Sequence, residues 1–566
     1  MGRMGFGLNS TSKWGTASTR SVPAVATHTG GGSEVSEVIV IGGGIAGICA
    51  ALELLEANRH VLLLDRDKAE SFGGLAKESF GGIFLVGTPE QRRAGIRDTP
   101  ALALADWRAF GELDPADHWP NAWAEAYTQR CHDDVGLWLR ARGIGFLPAP
   151  HWVERGLFTP GNSVPRFHIV WGTGRELALR LIAALEAHPR RANLDIRFGQ
   201  RVDELLTRDG AVIGCRGVGE DDGKAFEQIA GAVIVAAGGF NGNIERVRQH
   251  WHRDWKSPPP VILNGSHRHA DGRLHDAVAA TGGSLTHLDK MWNYAAGIRH
   301  PRPCKPNHGL SIVPPRSALW LDWSGRRIGP MPLVTGFDTR DLVAQVCATE
   351  RQYSWQVMNK AIAIKELAVS GAEHNPSIRD KKKLAFLRDL LFGNKWLYEE
   401  LTHGYEDVVT GRDLPELVAK MNALQGDDAV KLDHLRAAAE AYDAQIDRGQ
   451  TFHNDEQLRR IAYVRHWKGD RLRTCKFQKI LDPAAGPLLA IREFIISRKS
   501  LGGIQTDLQC RVLDAGGKPI PGLYAAGEAA GFGGGGMHGL RALEGTFLGG
   551  CVLSGRIAGQ STGKGI

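Results

Sequence analysis

Residues 38–65 read VIVIGGGIAGICAALELLEANRHVLLLD, and this stretch constrains the fold more than any other in the chain. Val38 to Ile41 is an apolar, β-branched run of strand length. Gly42, Gly44 and Gly47 form a G-x-G-x-x-G turn, a helical segment follows, and residues 60–64 make a second short strand that ends in Asp65. Strand, glycine turn, helix, strand and terminal acid describe a dinucleotide-binding βαβ unit. Gly42 permits the tight turn, Gly44 lets the backbone approach a pyrophosphate at the helix N-terminus, and Gly47 lets helix and strand pack closely. Asp65 is placed to accept hydrogen bonds from a ribose hydroxyl, and its charge disfavours a 2′-phosphate.

A chain of 566 residues, 43% hydrophobic and 23% charged, can bury a large core. The net charge of +7 is mild at this length. It suits an anionic cofactor or substrate, or reflects ordinary surface lysines and arginines, and is no argument for nucleic acid. The eight cysteines are scattered without a C-x-x-C pair, which reads as reduced thiols of a cytoplasmic-type protein with no metal site. No apolar run reaches about 18 residues, so no membrane span is expected. Residues 1–34 are rich in Gly, Ser and Thr and carry Arg3, Lys13 and Arg20 with no acid before Glu34. That composition predicts a disordered tail; it is also acid-poor, as organelle-targeting segments are.

Beyond the βαβ unit, SFGGLAKESFGGIFLVG (71–87) is a polar loop bracketed by Gly73–Gly74 and Gly81–Gly82. GNSVPRFHIVWGTG (161–174) is a second loop, with Gly172–Thr173–Gly174 leading into an apolar helix at 177–185. Residues 195–237 alternate like strands of a small antiparallel layer and end in AVIVAAGG. Residues 290–470 carry more charge and more Trp, with amphipathic helices expected at about 355–370, 380–403, 414–423 and 428–446. The Gly-rich signal resumes at SLGGIQTD (500–507) and GLYAAGEAAGFGGGGMHGLRALEGTFLGG (522–550). The expected organisation is therefore a tail (1–34), the first part of a cofactor domain (35–289), an inserted domain (290–470) and the rest of the cofactor domain (471–566).

GGGIAG, SFGGLAKESFGG, GNSVPRFHIVWGTG, MWNYAAGI, SLGG and GLYAAGEAAGFGGGG…HG together resemble the fumarate reductase/3-ketosteroid Δ1-dehydrogenase superfamily of FAD enzymes, over about 36–560. The resemblance is closer to the 3-oxosteroid 1-dehydrogenase-like members. It implies an α/β fold: a discontinuous Rossmann-like FAD-binding domain with an inserted α+β substrate or cap domain. It implies FAD held by Gly42, Gly44, Ile45, Ala46, Gly47, Asp65, Arg66, Gly74, Ala76, Ser79, Gly81, Gly82, Val202, Ala237, Gly238, Gly527, Glu528, Gly545, Thr546 and Phe547. Such enzymes move a hydride between flavin N5 and a carbon beside an electron-withdrawing group, while a protein acid or base handles the proton on the adjacent carbon.

Four residues are candidates for that chemistry. Arg340, in GFDTRDL, occupies the place of the reductases' proton-donating arginine, or is a surface arginine between Asp338 and Asp341. Val313 stands where the acid of that proton pathway would be. His538 and Arg541 follow the Gly run, as does the reductases' carboxylate clamp, although Arg541 comes one position early; cofactor or interface contact is the alternative. Arg498–Lys499 would touch substrate or stabilise the flavin N1–C2=O anion. The steroid enzymes use tyrosines as base and as carbonyl donor; Tyr294, in MWNYAAG at the expected edge of the cap, is the candidate for such a role, and Leu540 stands where those enzymes place a C-terminal tyrosine. His300 and His308 read as structural residues of a Pro-rich loop.

The expectation is an FAD-dependent oxidoreductase acting on CH–CH groups, with a 3-ketosteroid or related cyclic ketone as small-molecule substrate and an external electron acceptor or donor. The alternatives are a fumarate- or enoate-type reductase of an α,β-unsaturated carboxylate, and an electron-relay flavoprotein.

Overall fold

The computed structural model describes residues 36–153, 161–329, 339–531, 538–541 and 543–565; the tail expected at 1–34 lies outside them. The fold is mixed α/β and is built on two large sheets. The first has six strands in the order Arg511–Leu513, Pro519–Ala525, Ala232–Val235, Val38–Ile41, Val61–Leu64, Leu194–Arg197. All its pairings are parallel except that between Arg511–Leu513 and Pro519–Ala525. The central strands are apolar along their whole length because both faces are covered. The two sequence ends meet here: Leu523 pairs with Val233 and Val38 with Ala232, so the C-terminal segment completes the sheet begun at residue 38.

The helix Ile45–Glu56 packs on the C-terminal helix Thr546–Gly565, and glycines set the distance. A Cβ on Gly555 would lie 2.3 Å from the Ala46 carbonyl oxygen, and one on Gly559 2.5 Å from that of Ala50. No side chain larger than hydrogen fits that seam.

The second sheet has eight strands. Six run in the order Leu319–Asp322, Ser354–Asn359, Leu488–Ser500, Met291–Arg299, Gly309–Val313, Ala368–Val369, and Ile262–Asn264 and Val408–Gly411 also pair with Leu488–Ser500. Its own apolar core joins Trp320, Trp355, Ile491 and Tyr442. Helices including Lys395–Gly404, Leu414–Gln425 and Leu432–Asp447 surround it.

Two local expectations are corrected. Residues 354–359, expected as part of a helix, form a strand whose every residue is buried; the helix begins only at Lys360, capped by the Asn359 side chain. A short apolar run buried on both faces carries no periodicity to separate strand from helix. The strands of 194–235 do not form one antiparallel layer. Leu194–Arg197 and Ala232–Val235 join the parallel sheet, while Gln200–Arg208, Ala211–Gly219 and Ala225–Ile229 form a separate three-stranded antiparallel sheet.

Candidate functional site

The glycine turn after the first strand has the geometry that its spacing demands. Gly42 has φ +109°, and a Cβ there would strike the Ala236 carbonyl oxygen at 2.4 Å. A Cβ on Gly47 would sit 1.9 Å from the Gly42 oxygen, so helix and strand approach through it. Gly44 differs: a Cβ there meets nothing within 4 Å, because its backbone faces open space. At the tip of the second strand Asp65 accepts hydrogen bonds from the Gly43 N–H (2.6 Å) and the Asp67 N–H (2.7 Å). Burial pushes its carboxyl above the ordinary carboxylate value, and those two donors partly offset this.

The turn opens into a cavity of about 1670 Å³ that runs between the two sheets. Every residue expected to hold the cofactor lines it, except Gly47, Gly527 and Thr546. Those three lie behind the wall. Gly527, at φ +68°, would place a Cβ 2.8 Å from that of Ala46, and Thr546 Oγ1 lies 3.3 Å from His538 Nδ1. The 73–82 loop is locked to the helix Thr173–Glu186: a Cβ on Gly81 would meet Gly174 N at 2.4 Å, and one on Gly174 would meet Ser79 Oγ at 2.0 Å. Gly82 makes room for the Phe167 ring in the strand pair Gly82–Phe84 and Phe167–Ile169.

The segment 265–273, GSHRHADGR, supplies part of the same wall and was not singled out by its sequence. Arg268 pairs with Asp67 at 2.5 Å, and His267 lies 3.4 Å from it. Burial opposes ionisation of Asp67, but the His267 ring, the Lys68 N–H and Arg268 hold its carboxyl well below the usual range. Arg66 bridges Glu220 (2.5 Å) and Asp271 (2.7 Å). The open backbone at Gly44, the acid at the strand tip and this polar rim fit the pyrophosphate and ribose of a dinucleotide. Elsewhere on the wall, Glu528 accepts from the Ser500 N–H (3.0 Å), and Lys499 Nζ lies 3.7 Å from it.

Of the four catalytic candidates, only Tyr294 lines the cavity. It sits on the strand Met291–Arg299 and donates a 2.6 Å hydrogen bond to Glu544 Oε1. Glu544 also lines the cavity, and burial raises its carboxyl above the ordinary glutamate value, with Tyr294, Arg498 and Lys499 opposing. Glu544 was missed by the sequence reading; an acid within the apolar ALEGTFLGG run was the available signal. Arg498 and Lys499 are on the wall too, Arg498 with its guanidinium carbon 5.6 Å from the Tyr294 ring centre. Lys305, whose burial lowers its ammonium pKa, donates to the Ser266 carbonyl.

The other three candidates lie off the cavity wall. Arg340, near the start of the helix Thr339–Cys347, pairs with Asp254 at 2.5 Å. His538 is fully buried and stacked between Trp107 (5.3 Å) and Phe547 (5.1 Å), where burial lowers its pKa to about 3. Arg541 pairs with Glu112 at 2.5 Å. His300 and His308 stack on each other at 4.2 Å, and His300 lies 3.2 Å from Glu373. Among the described residues no cluster of His, Cys, Asp and Glu is arranged to hold a metal, and no helix is long and apolar enough to cross a membrane.

Comparison with known proteins agrees with this geometry. The chain is 42% identical over 554 residues to a KsdD-like steroid dehydrogenase of Mycobacterium tuberculosis, covering 94% of this chain and 96% of that one. It is 24% identical to a cytochrome-type fumarate reductase of Shewanella frigidimarina over 540 residues, 93% of this chain and 77% of that one. Its fold is similar to that of the 3-ketosteroid delta1-dehydrogenase of Sterolibacterium denitrificans, with a TM-score of 0.68 at 15% identity over 94% of this chain and 100% of that one. Residues 37–548 match the family described as FAD binding domain, and the chain therefore belongs to that family of FAD-binding oxidoreductases.

Proposed function

We propose that this protein is an FAD-dependent dehydrogenase that desaturates a CH–CH pair beside the ring carbonyl of a 3-ketosteroid or a related cyclic ketone. The observation that carries the reading is the Tyr294–Glu544 pair on the wall of a long cavity. Apolar side chains, among them Phe110, Phe167, Ile169, Leu310, Ile312 and Trp320, cover much of that wall, as a flat hydrocarbon substrate requires. The 42% identical relative, a KsdD-like steroid dehydrogenase, supports the same substrate class.

In this reading 35–289 and 471–566 make a discontinuous Rossmann-like FAD-binding domain built on the first sheet, and 290–470 is an inserted cap domain that closes over the substrate, with the strands Ile262–Asn264 and Leu488–Ser500 of the FAD-binding part completing the second sheet. Gly42, Gly44 and Asp65 would hold the dinucleotide end of FAD, and Glu528, Gly545 and Phe547 the end nearer Tyr294. When bound, FAD would supply the two-electron acceptor for the oxidation, with an external electron acceptor completing the cycle. The chain's own residues manage the proton. The Tyr294 oxygen takes the proton from the carbon next to the carbonyl and passes its own to Glu544. The raised carboxyl pKa makes Glu544 a better base for that transfer than a solvated glutamate. Arg498 and Lys499 put positive charge beside the pair, which favours the ionised, proton-accepting form of Glu544 against the burial that opposes it.

The enoate-reductase alternative needs a clamp for a substrate carboxylate. Arg541 is committed to Glu112, and His538 is held neutral between two aromatic rings, which favours the ketone. The test is incubation of the purified protein with 3-ketosteroids and a dye acceptor, followed by mass spectrometry. Loss of two hydrogens from a ketosteroid supports the reading. Turnover of enoates alone would replace it with the reductase.

A further inference from the structure

The helix Lys383–Phe392 buries none of its residues. Leu384, Leu391 and Phe392 are 84%, 65% and 72% exposed, and Leu387 and the nearby Trp396 are exposed as well. Leu384, Leu387 and Leu391 recur at helical spacing, so they form one apolar stripe. Among the described residues, the Phe386 ring, edge-on to Trp171 at 5.7 Å, makes the one aromatic contact between this helix and the rest of the fold. Single exposed leucines are ordinary, but a contiguous apolar stripe marks a surface that something covers.

Charge and position say what covers it. Between residues 379 and 396 there are six basic side chains: Arg379 and Lys382 pair with Asp380, Arg388 with Asp389 and Lys381 with Glu176, while Lys383 and Lys395 have no acid partner among the described residues. Lys381 and Lys382 line the cavity, so the stripe sits at its rim. Arg473, also on the cavity wall, feels the charge of Asp389, which brings a second segment alongside. That segment adds exposed Leu472 and Tyr463, with Lys468 and Arg471 between them.

We propose that this rim is a docking surface for an anionic lipid bilayer, on which the protein lies with its cavity opening toward the membrane. An apolar stripe set among lysines and arginines matches the boundary between anionic headgroups and acyl chains. A second copy of this chain matches it less well, because a two-fold contact would bring the same basic residues face to face. The inference does not depend on the substrate assignment.

The test is co-sedimentation of the full-length, FAD-loaded protein with phosphatidylcholine vesicles containing increasing phosphatidylserine. Bound fraction should rise with phosphatidylserine and fall with salt. The double variant Leu391→Ser/Phe392→Ser, and separately Lys383→Glu, should each lower partitioning by about tenfold with flavin content and melting temperature unchanged. Three results would overturn the proposal: no binding to phosphatidylserine-rich vesicles at low salt, binding that both variants retain, or concentration-dependent self-association that the same variants abolish.

Discussion

The Tyr294 hydroxyl and the Glu544 carboxylate, 250 residues apart in sequence, share a 2.6 Å hydrogen bond on the wall of the FAD-family cavity. One partner comes from a strand of the second sheet and the other directly precedes the C-terminal helix that packs behind the glycine turn. The pair is thus assembled only when the two sheets come together.

Replacing either partner separates catalysis from cofactor binding. Tyr294→Phe keeps the ring and removes the proton carrier, so kcat should fall by about 10²–10⁴-fold while the protein purifies with its flavin. Glu544→Gln keeps the shape but cannot take up a proton. In the wild type, Glu544 must be ionised to act as base, so activity should fall with decreasing pH as the raised carboxyl pKa is crossed, above the ordinary glutamate value. Glu544→Gln should be slower and should lack that acidic limb. A pH profile of kcat for the three proteins checks both statements.

The three glycines of the turn should fail in different ways. Gly44→Val adds a side chain to open space and should fold, yet occupy the ground of a pyrophosphate; it should elute colourless with a near-normal melting temperature. Gly47→Val drives its Cβ into the Gly42 carbonyl and should fail to fold or melt well below the wild type. Absorbance at the flavin bands and a thermal melt distinguish the two.

Arg340 is ion-paired with Asp254 and does not reach the cavity wall. Arg340→Lys should leave kcat within a factor of about three, since a partly exposed ion pair contributes on the order of 1 kcal/mol or less. A drop of several orders of magnitude would return Arg340 to the proton pathway and favour the reductase reading.

Burial lowers the pKa of His168 and His275 to about 4 and that of His538 to about 3. An unfolded histidine titrates near 6.5. Between those values the unfolded chain binds more protons than the folded one, so stability is full above about pH 6.5 and declines toward pH 4. The melting temperature should fall by several degrees or more from pH 7 to pH 5, and His168→Gln should flatten the slope.

Local chemistry was legible in the sequence, and chemistry assembled across the fold was not. The βαβ unit holds Gly42, Gly44, Gly47 and Asp65 within one short stretch, so spacing alone expresses their geometry. Glu544 carries no such signature, because its partner lies on another sheet. Arg541 and His538 were considered from their place after the Gly run, yet Glu112, Trp107 and Phe547 decide where they point. The strand Ser354–Asn359 was read as helix because a short run buried on both faces shows no strand periodicity, and the partners that cover it, Leu319–Asp322 and Leu488–Ser500, are distant in sequence. The exposed stripe at Leu384–Leu391 reads as an ordinary amphipathic helix in sequence, and only the fold shows that its apolar side is left uncovered.

The most direct measurement is anaerobic mixing of the purified yellow protein with a panel of 3-ketosteroids and cyclic ketones, with the flavin absorbance followed in time. The account predicts rapid bleaching by at least one ketosteroid and much slower bleaching in Tyr294→Phe. Absence of bleaching by every ketone, together with reoxidation of the dithionite-reduced protein by fumarate or a larger enoate, would contradict it.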